Sequence, residues 1–321
     1  MRIVTLITFT NSQSQATPSN FQQLIQTTLL YPNGVRFWSP TDGWLHAWLE
    51  SIQSNSANIW VKIPSSIPAS GTYQLYMIQD NTLPMDGVYW GEAPQLSSTY
   101  AQYDNGANIF PYYQRWGSLS ALPSGWSSIS GTVITYSSTY TELAPAQSTG
   151  GWYGIYLTPM TSSLSSTPTV WEFYGNMYDS VNAGNYIGTN TGAGNNYNGY
   201  AFSEGNSNTN LIYLLNGGSL FDVSTGYFDT NNNKVYTMQM NSPTSLQMFI
   251  NYAQIYSTTS ATSESPTYFD ILISNNRGSN PSTPIYIYWL RTRAYPPNGV
   301  MPSVSLGAPQ YSGELITVTV P

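Results

Sequence analysis

Charged side chains are scarce in this chain of 321 residues, where Asp, Glu, Lys and Arg together make up only 7%. An ordinary soluble domain carries about 25%. The 15 acidic and 8 basic residues give a formal net charge of −7 at pH 7. So few bases cannot neutralise a track of phosphates, which argues against nucleic acid as a partner. A surface of uncharged polar groups also loses little on acidification. We therefore expect an acidic exterior environment and a melting temperature that changes little with pH.

Cysteine is absent, and histidine occurs once, at His46. Without disulfides, stability must come from core packing and from hydrogen bonds within sheets. With one imidazole and no thiol, a zinc or iron site is excluded in practice, and we expect no cofactor. Nothing approaches the run of about 18 apolar residues that spans a membrane. Residues 1–10 alternate apolar and polar side chains, which predicts a strand rather than a signal peptide. Either a leader was removed, or the protein reaches the exterior without one, as a virion component would.

The remaining pattern is that of a β protein. Short runs rich in Val, Ile, Thr, Tyr and Phe alternate with Gly, Pro, Asn and Ser, and the clearest runs are 58–63, 71–78, 132–136, 152–157, 211–215, 235–240 and 285–291. This punctuation predicts an all-β fold of two packed β-sandwich or jelly-roll units. Residues 21–26 are the best helical candidate.

Composition divides the chain into three predicted parts. Residues 1–100 form a small β-sandwich, residues 101–308 a second jelly roll, and residues 309–321 a C-terminal strand or connector. The segment between the first two parts is aromatic rather than flexible, so we expect the two units to pack closely.

Several motifs resemble the domain-of-unknown-function family numbered 2341. They are YPNGVRF at 31–37, WLES at 48–51, IWVKIP at 59–64, IPASGT at 67–72, VYWGEAP at 88–94 and YDNGANIF at 103–110. Residues 286–307 resemble the ending of archaeal chains in which a concanavalin-like (LamG-type) jelly roll follows this domain. The resemblance implies surface display and ligand binding. Together with the low charge, it leads us to expect an extracellular protein of an archaeal cell surface or virion, from a hyperthermophilic and acidophilic setting. It supplies no catalytic residues.

Catalytic groups are poorly represented. A glycan hydrolase needs two carboxyl groups that face one substrate. The nearest candidates are Glu172 and Asp179. Alternation places Glu172 on the same strand face as Tyr174, but Asp179 follows a predicted turn, so the two carboxyl groups are not expected to face each other. His46 lies in phase with Trp44 and Trp48, and no nucleophile motif accompanies it. We expect His46 to be a hydrogen-bonded strand residue and the protein not to be an enzyme.

One weak metal signal is present. Asp229, Asn231 and Asn233 match the opening of a calcium loop, but Lys234 occupies the position of its glycine and Met240 that of its last carboxylate. A hairpin turn is the better interpretation, so we predict no metal.

Aromatic residues are the strongest functional signal, with 27 Tyr, 10 Trp and 10 Phe. Exposed Tyr and Trp offer apolar faces to sugars and to protein partners, although Tyr also simply favours strands. The clusters lie at 38–48, 112–116, 152–156 and 186–200. The candidate ligand-binding residues are Trp44, His46, Trp48, Tyr112, Tyr113, Trp116, Trp152, Tyr153, Tyr197 and Tyr200.

These observations predict a display or adhesion protein that binds host or envelope glycans or proteins through aromatic-rich loops. Two alternatives remain. In the first, the chain is a structural subunit of a homo-oligomer, virion or filament, and residues 314–320 pair as a strand with the sheet of a neighbouring copy. In the second, the chain is a glycan-degrading enzyme.

Overall fold

The computed structural model describes residues 1–146, 152–157, 169–177, 184–190, 199–205, 209–216, 219–224, 232–242, 245–259, 268–274 and 284–312. These residues confirm the all-β prediction, because they contain strands throughout and only two short helices. The chain divides into two compact units. The first consists of Met1–Tyr113 with the residues from Arg293 onward, and the second of Gln114–Thr292.

The elements follow one another in chain order. The first half contains β1 (Arg2–Asn11), β2 (Phe21–Thr28), β3 (Val35–Ser39), β4 (Gly43–Leu45), β5 (Ala47–Gln53), β6 (Ser56–Ile63), β7 (Gly71–Asp80), β8 (Trp90–Glu92), α1 (Gly106–Ile109), β9 (Tyr112–Arg115), β10 (Trp126–Ser128), β11 (Thr132–Tyr136), β12 (Thr141–Pro145) and β13 (Trp152–Leu157). The second half contains β14 (Thr169–Met177), β15 (Gly184–Asn190), β16 (Gly199–Gly205), β17 (Thr209–Asn216), β18 (Ser219–Ser224), β19 (Lys234–Ser242), β20 (Ser245–Ile250), β21 (Ala253–Thr258), β22 (Tyr268–Ser274), β23 (Ile285–Ala294), a 3-10 helix (Pro297–Gly299), β24 (Ser303–Leu306) and β25 (Gln310–Ser312).

The first unit is a sandwich of two sheets. One sheet has six strands in the order β24-β1-β7-β3-β4, with β25 also paired to β1, and the other has four in the order β2-β6-β5-β8. Side chains alternate between the two faces of a strand, and the inward positions of both sheets supply one core. Its fully buried members include Ile7, Phe37 and Leu75 from the first sheet and Ile59 and Val61 from the second.

The helical candidate at 21–26 is wrong, because these residues belong to β2. All eight residues of β2 pair antiparallel with β6, from Phe21 opposite Ile63 to Thr28 opposite Ser56. The glutamines that give the segment its helical composition are held by long-range bonds instead. The amide nitrogen of Gln22 donates to the main-chain oxygen of Ile109, and its amide oxygen accepts from the main-chain N–H of Ala294.

The second unit contains a seven-stranded sheet, β10-β13-β22-β15-β16-β17-β18, and an eight-stranded sheet, β11-β12-β23-β14-β19-β20-β21 with β9 also paired to β23. Large rings meet between the two sheets. Trp171 of β14 stacks on Phe269 of β22 with ring centroids 4.6 Å apart, and Phe202 of β16 meets Tyr236 of β19 at 5.2 Å. The predicted strands at 132–136 and 152–157 have the predicted bounds.

The first unit extends further along the chain than residue 100, and the chain returns to it near the end. Residues Thr10 to Ile7 of β1 pair with Ser303 to Leu306 of β24, so that β24 completes the six-stranded sheet. The predicted strand at 314–320 lies outside the described residues. In the described ranges, no helix has the length and apolar character needed to cross a membrane.

Candidate functional site

A row of apolar side chains crosses the outer face of the six-stranded sheet in the first unit. Antiparallel pairing sets Leu6 of β1 opposite Tyr76 of β7, Tyr76 opposite Trp38 of β3, and Trp38 opposite Trp44 of β4. The residues on either side of Leu6, Tyr76 and Trp38 are buried, as is Leu45 beside Trp44, so alternation directs these four side chains away from the core. We call Leu6, Tyr76, Trp38 and Trp44 the aromatic row.

The rings of the aromatic row are accessible from solvent. Trp44 is 44% exposed, and Leu6, Trp38 and Tyr76 are half-buried. The Trp38 and Tyr76 ring centroids lie 6.0 Å apart with an interplanar angle of 31°. Because neighbouring strands are about 4.8 Å apart, the three aromatic positions span about 10 Å.

Hydroxyl and amide groups border the row on one side. Gln74 of β7 pairs with Thr8 of β1, which pairs with Ser305 of β24. The Gln74 amide nitrogen donates to the Thr8 hydroxyl over 3.3 Å. We call Gln74, Thr8 and Ser305 the polar flank.

On the other side the row is bordered by Arg36, Ile78 and Val4, which are aligned across β3, β7 and β1. The Arg36 guanidinium forms an ion pair with Asp86 at 2.9 Å and also donates to the main-chain oxygens of Val35 and Pro84. Its charge is therefore compensated and its side chain is held in place. This border is otherwise aliphatic.

Beyond this border, Arg2 of β1 lies opposite Asp80 of β7. The Arg2 Nε donates to the Asp80 carboxylate over 3.0 Å. The main-chain N–H and the hydroxyl of Thr82 also donate to that carboxylate. The Thr82 N–H, then its hydroxyl and Arg2, hold the pKa of Asp80 below its ordinary value despite partial desolvation.

His46 is half-buried and hydrogen-bonded as predicted, but it lies between β4 and β5 and not within a strand. Its ring stacks on Tyr89, with centroids 5.0 Å apart and an interplanar angle of 11°. Its Nδ1 lies 2.8 Å from the main-chain oxygen of Val88. A carbonyl only accepts, so this contact places the proton on Nδ1. Val88 and Tyr89 are both exposed.

Trp48 and Tyr113 are brought together by Asp104 instead. Trp48 is fully buried, and its indole N–H donates to Asp104 Oδ1 over 3.1 Å, while the Tyr113 hydroxyl donates to Oδ2 over 3.0 Å. Phe110 closes this group, 5.4 Å from the Trp48 ring. These residues stabilise the segment that packs on β5. Tyr112 is half-buried in β9.

The remaining aromatic candidates lie in the second unit. Trp116 is fully buried against Trp126, at 4.9 Å and nearly perpendicular. Trp152 is half-buried and meets Tyr186 at 4.6 Å. Tyr153 is buried. Tyr200 lies within β16, and Tyr197 lies outside the described residues.

Glu172 is enclosed by its own partners in the second unit. The carboxylate accepts from the Arg291 Nε over 2.7 Å and from the Thr237 hydroxyl over 3.1 Å. Both members of the ion pair are fully buried. Arg291 also donates to the Tyr252 hydroxyl and lies over the Trp289 ring. Asp179 lies outside the described residues.

The calcium-loop residues give no described cluster. Asn233 is exposed, whereas Asp229 and Asn231 lie outside the described ranges. Across the part of the chain that the structure describes, no three His, Asp or Glu side chains are grouped to hold a metal ion.

Trp44 is a predicted ligand-binding residue, whereas its partners in the row are not. Trp38 was visible in the 38–48 cluster, and alternation with Phe37 places it on the outer face. Tyr76 had a similar signal, because it alternates with Leu75 and Met77. The register that aligns Tyr76, Trp38 and Trp44 is set by long-range pairing, which no local pattern shows.

Comparisons with known proteins agree with the resemblance of the first unit to the family numbered 2341. Residues 31–87 match the family described as Domain of unknown function (DUF2341), and they include Trp38, Trp44 and Tyr76. The chain is also 30% identical over 343 residues to "Uncharacterized protein 562" of Sulfolobus islandicus rod-shaped virus 1. That alignment covers 92% of this chain and 58% of the viral protein, so the chain spans little more than half of this relative.

Similar solved structures cover just over half of the chain. They include the carbohydrate recognition domain of Emp46p (13% identity, TM-score 0.42, covering 56% of this chain and 94% of that one). A second is the carbohydrate binding module CBM66 from Bacillus subtilis (10% identity, TM-score 0.40, covering 53% of this chain and 96% of that one). A third is the β-glucanase of Bacillus licheniformis (15% identity, TM-score 0.39, covering 57% of this chain and 97% of that one). Similarity at this level transfers neither a ligand nor a reaction to this chain.

Proposed function

We propose that this chain is a non-enzymatic display or adhesion protein on the exterior of a virion or archaeal cell, and that it binds glycans through the aromatic row. The observation that carries the proposal is the alignment of Tyr76, Trp38 and Trp44 on a solvent-facing sheet surface. The viral relative supports the exterior setting.

The chemistry of the surface favours a sugar over a purely apolar partner. Tyr and Trp rings combine an apolar face with a polar edge, and a pyranose ring offers the complementary combination of a C–H face and a hydroxyl rim. The polar flank supplies groups for such a rim, because Gln74, Thr8 and Ser305 carry an amide and two hydroxyls. Ligand sites commonly join apolar surface with a few polar groups in this way.

The surroundings of Glu172 support binding without turnover. A hydrolase needs a carboxyl group that reaches the scissile bond and a second one facing it. Glu172 is fully buried and is bonded to Arg291 and Thr237. A carboxylate so enclosed is suited to stabilising the fold.

A glycan array with the full chain and three variants tests the proposal at pH 3 and pH 7. We expect Trp38→Ala and Trp44→Ala to weaken binding about ten-fold or more, which corresponds to about 1.4 kcal/mol for each lost ring. Tyr311→Ala is the matched control. Tyr311 is a 62% exposed tyrosine on the same sheet, but it lies opposite Ile3, whose side chain faces the core.

Circular dichroism of each variant tests whether its sheets are retained. Absence of any glycan ligand for the native chain would contradict the proposal. Equal binding by the native chain and by Trp44→Ala would contradict it as well.

A further inference from the structure

The charged side chains around the aromatic row are bonded to other groups of the protein, two of them in ion pairs and one by hydrogen bonds. Arg36 is joined to Asp86 and Arg2 to Asp80. Asp42, in the turn that precedes Trp44, accepts hydrogen bonds from the Ser65 main-chain N–H and hydroxyl and from the Tyr73 hydroxyl.

Among the residues that the structure describes, a ligand charge placed over the row would therefore find no opposite charge that is free of bonds within the protein. It would still lose hydration on the ring faces, and burying an unpaired charge is unfavourable. The surface thus selects against both acidic and basic ligands.

The dimensions of the row limit how much of a ligand it holds. Its three aromatic positions lie one strand apart and together span about 10 Å. Each sugar unit of a linear chain lengthens it by a distance similar to that between neighbouring strands. Three rings accommodate two to three consecutive sugars. A longer chain would extend beyond Trp44 on β4, which is the edge strand of this sheet.

The two borders of the row give the ligand an orientation. Hydrogen-bonding groups lie along one border, in Gln74, Thr8 and Ser305, whereas Val4 and Ile78 line much of the other. A sugar chain lying across β7, β3 and β4 would direct its hydroxyl-rich edge toward Gln74 at the Tyr76 end of the row, whereas Thr8 and Ser305 lie beyond it on β1 and β24.

We infer that the aromatic row binds an uncharged, linear oligosaccharide, two to three sugar units of which lie across the strands β7, β3 and β4. This inference rests on the proposed function and adds the charge and the length of its ligand. It excludes an acidic polymer as the main occupant.

Calorimetry with two matched ligands tests the charge. N-acetylated chitotetraose is uncharged, and fully deacetylated chitotetraose has the same linkage with amines that are cationic at the mildly acidic pH chosen for the titration. We expect the uncharged ligand to bind at least about ten-fold more tightly, with a Kd that changes less than about two-fold between about 0.05 M and about 0.5 M NaCl. Tetragalacturonate, an acidic ligand, should bind as weakly as the deacetylated chain.

A length series tests the fit to the row. Affinity should rise from one sugar unit to three and then level off, and Trp44→Ala should remove the gain from the third unit. Gln74→Ala should weaken binding at every length, because it removes a group of the polar flank. Trp44 is exposed, so its replacement leaves the core intact and the test stays informative.

The outcomes separate the inference from the function on which it rests. Tighter, salt-dependent binding of either charged ligand, lost in Trp44→Ala, would overturn the inference and leave glycan binding standing. Failure of every oligosaccharide to bind would overturn both. Self-association in sedimentation that disappears in Trp44→Ala would also overturn both, because it would make the row an interface between copies.

Discussion

The Glu172 carboxylate in the second unit has no contact with solvent, and it forms an ion pair with the equally buried guanidinium of Arg291. Removing two charges from water is expensive, and the attraction between them compensates only where the remaining groups are also bonded. Thr237 and Tyr252 provide those additional bonds. Removing one member of this pair should therefore destabilise the protein far more than removing one member of a surface ion pair would.

We predict that Arg291→Met lowers the free energy of unfolding by about 3–5 kcal/mol, because it leaves the Glu172 carboxylate buried without its cation. Urea denaturation followed by tryptophan fluorescence measures this change. The control is the double variant with Glu172→Gln, which removes both charges and should be more stable than Arg291→Met alone. A double variant as unstable as the sum of the two single changes would show that the charges do not stabilise each other.

The strands of the second unit depend on close backbone approach at one glycine. Gly154 of β13 pairs with Leu272 of β22 and has a φ of +135°. A Cβ added there would lie 2.0 Å from the main-chain oxygen of Ile271. Both the backbone conformation and the space therefore require glycine.

Gly154→Ala should lower the free energy of unfolding by about 3 kcal/mol or more, combining left-handed strain with overpacking against backbone. Gly43→Ala is the matched comparison, because Gly43 has a φ of +74° but nothing within 4 Å of an added Cβ. That variant should cost only about 1 kcal/mol. Chemical denaturation of both proteins measures the difference, and equal losses would show that the contact with Ile271 is relieved by local movement.

At the level of elements, local pattern predicts strands well and their partners poorly. Alternation and turn residues correctly predicted strands such as 132–136, since burial and hydrogen bonding there follow the period of two. The segment 21–26 failed because its glutamines favour a helix locally, whereas its pairing with β6 is made by residues far along the chain.

The candidate site shows the same division between local and long-range information. His46 was predicted to be in phase with Trp44 and Trp48 along one strand. The chain instead changes sheets there, because β4 ends at Leu45 in one sheet and β5 begins at Ala47 in the other. Trp44 therefore faces solvent while Trp48 is buried against Phe110. No pattern within 44–48 records that change of sheet.

For the molecule as a whole, the scarcity of charge limits how strongly acid can act. Asp80 and Glu92 respond to pH in opposite directions. Asp80 has a lowered pKa, so its contribution to stability is present above the pKa of the unfolded chain and is lost as the pH falls through the folded value. Burial raises the pKa of Glu92, although the Ser97 hydroxyl opposes the shift. Its contribution is present at low pH and is lost as the pH rises through the folded value.

We therefore predict that the melting temperature at pH 3 lies within a few degrees of that at pH 7, because these two contributions oppose each other and exposed ion pairs add little. Calorimetry at both pH values measures this for the native chain and two variants. Asp80→Asn should lose less stability than the native chain on acidification, since it lacks the group whose contribution disappears. Glu92→Gln should lose more, because it no longer gains stability at low pH. A fall of tens of degrees in the native chain that Asp80→Asn does not reduce would contradict this prediction.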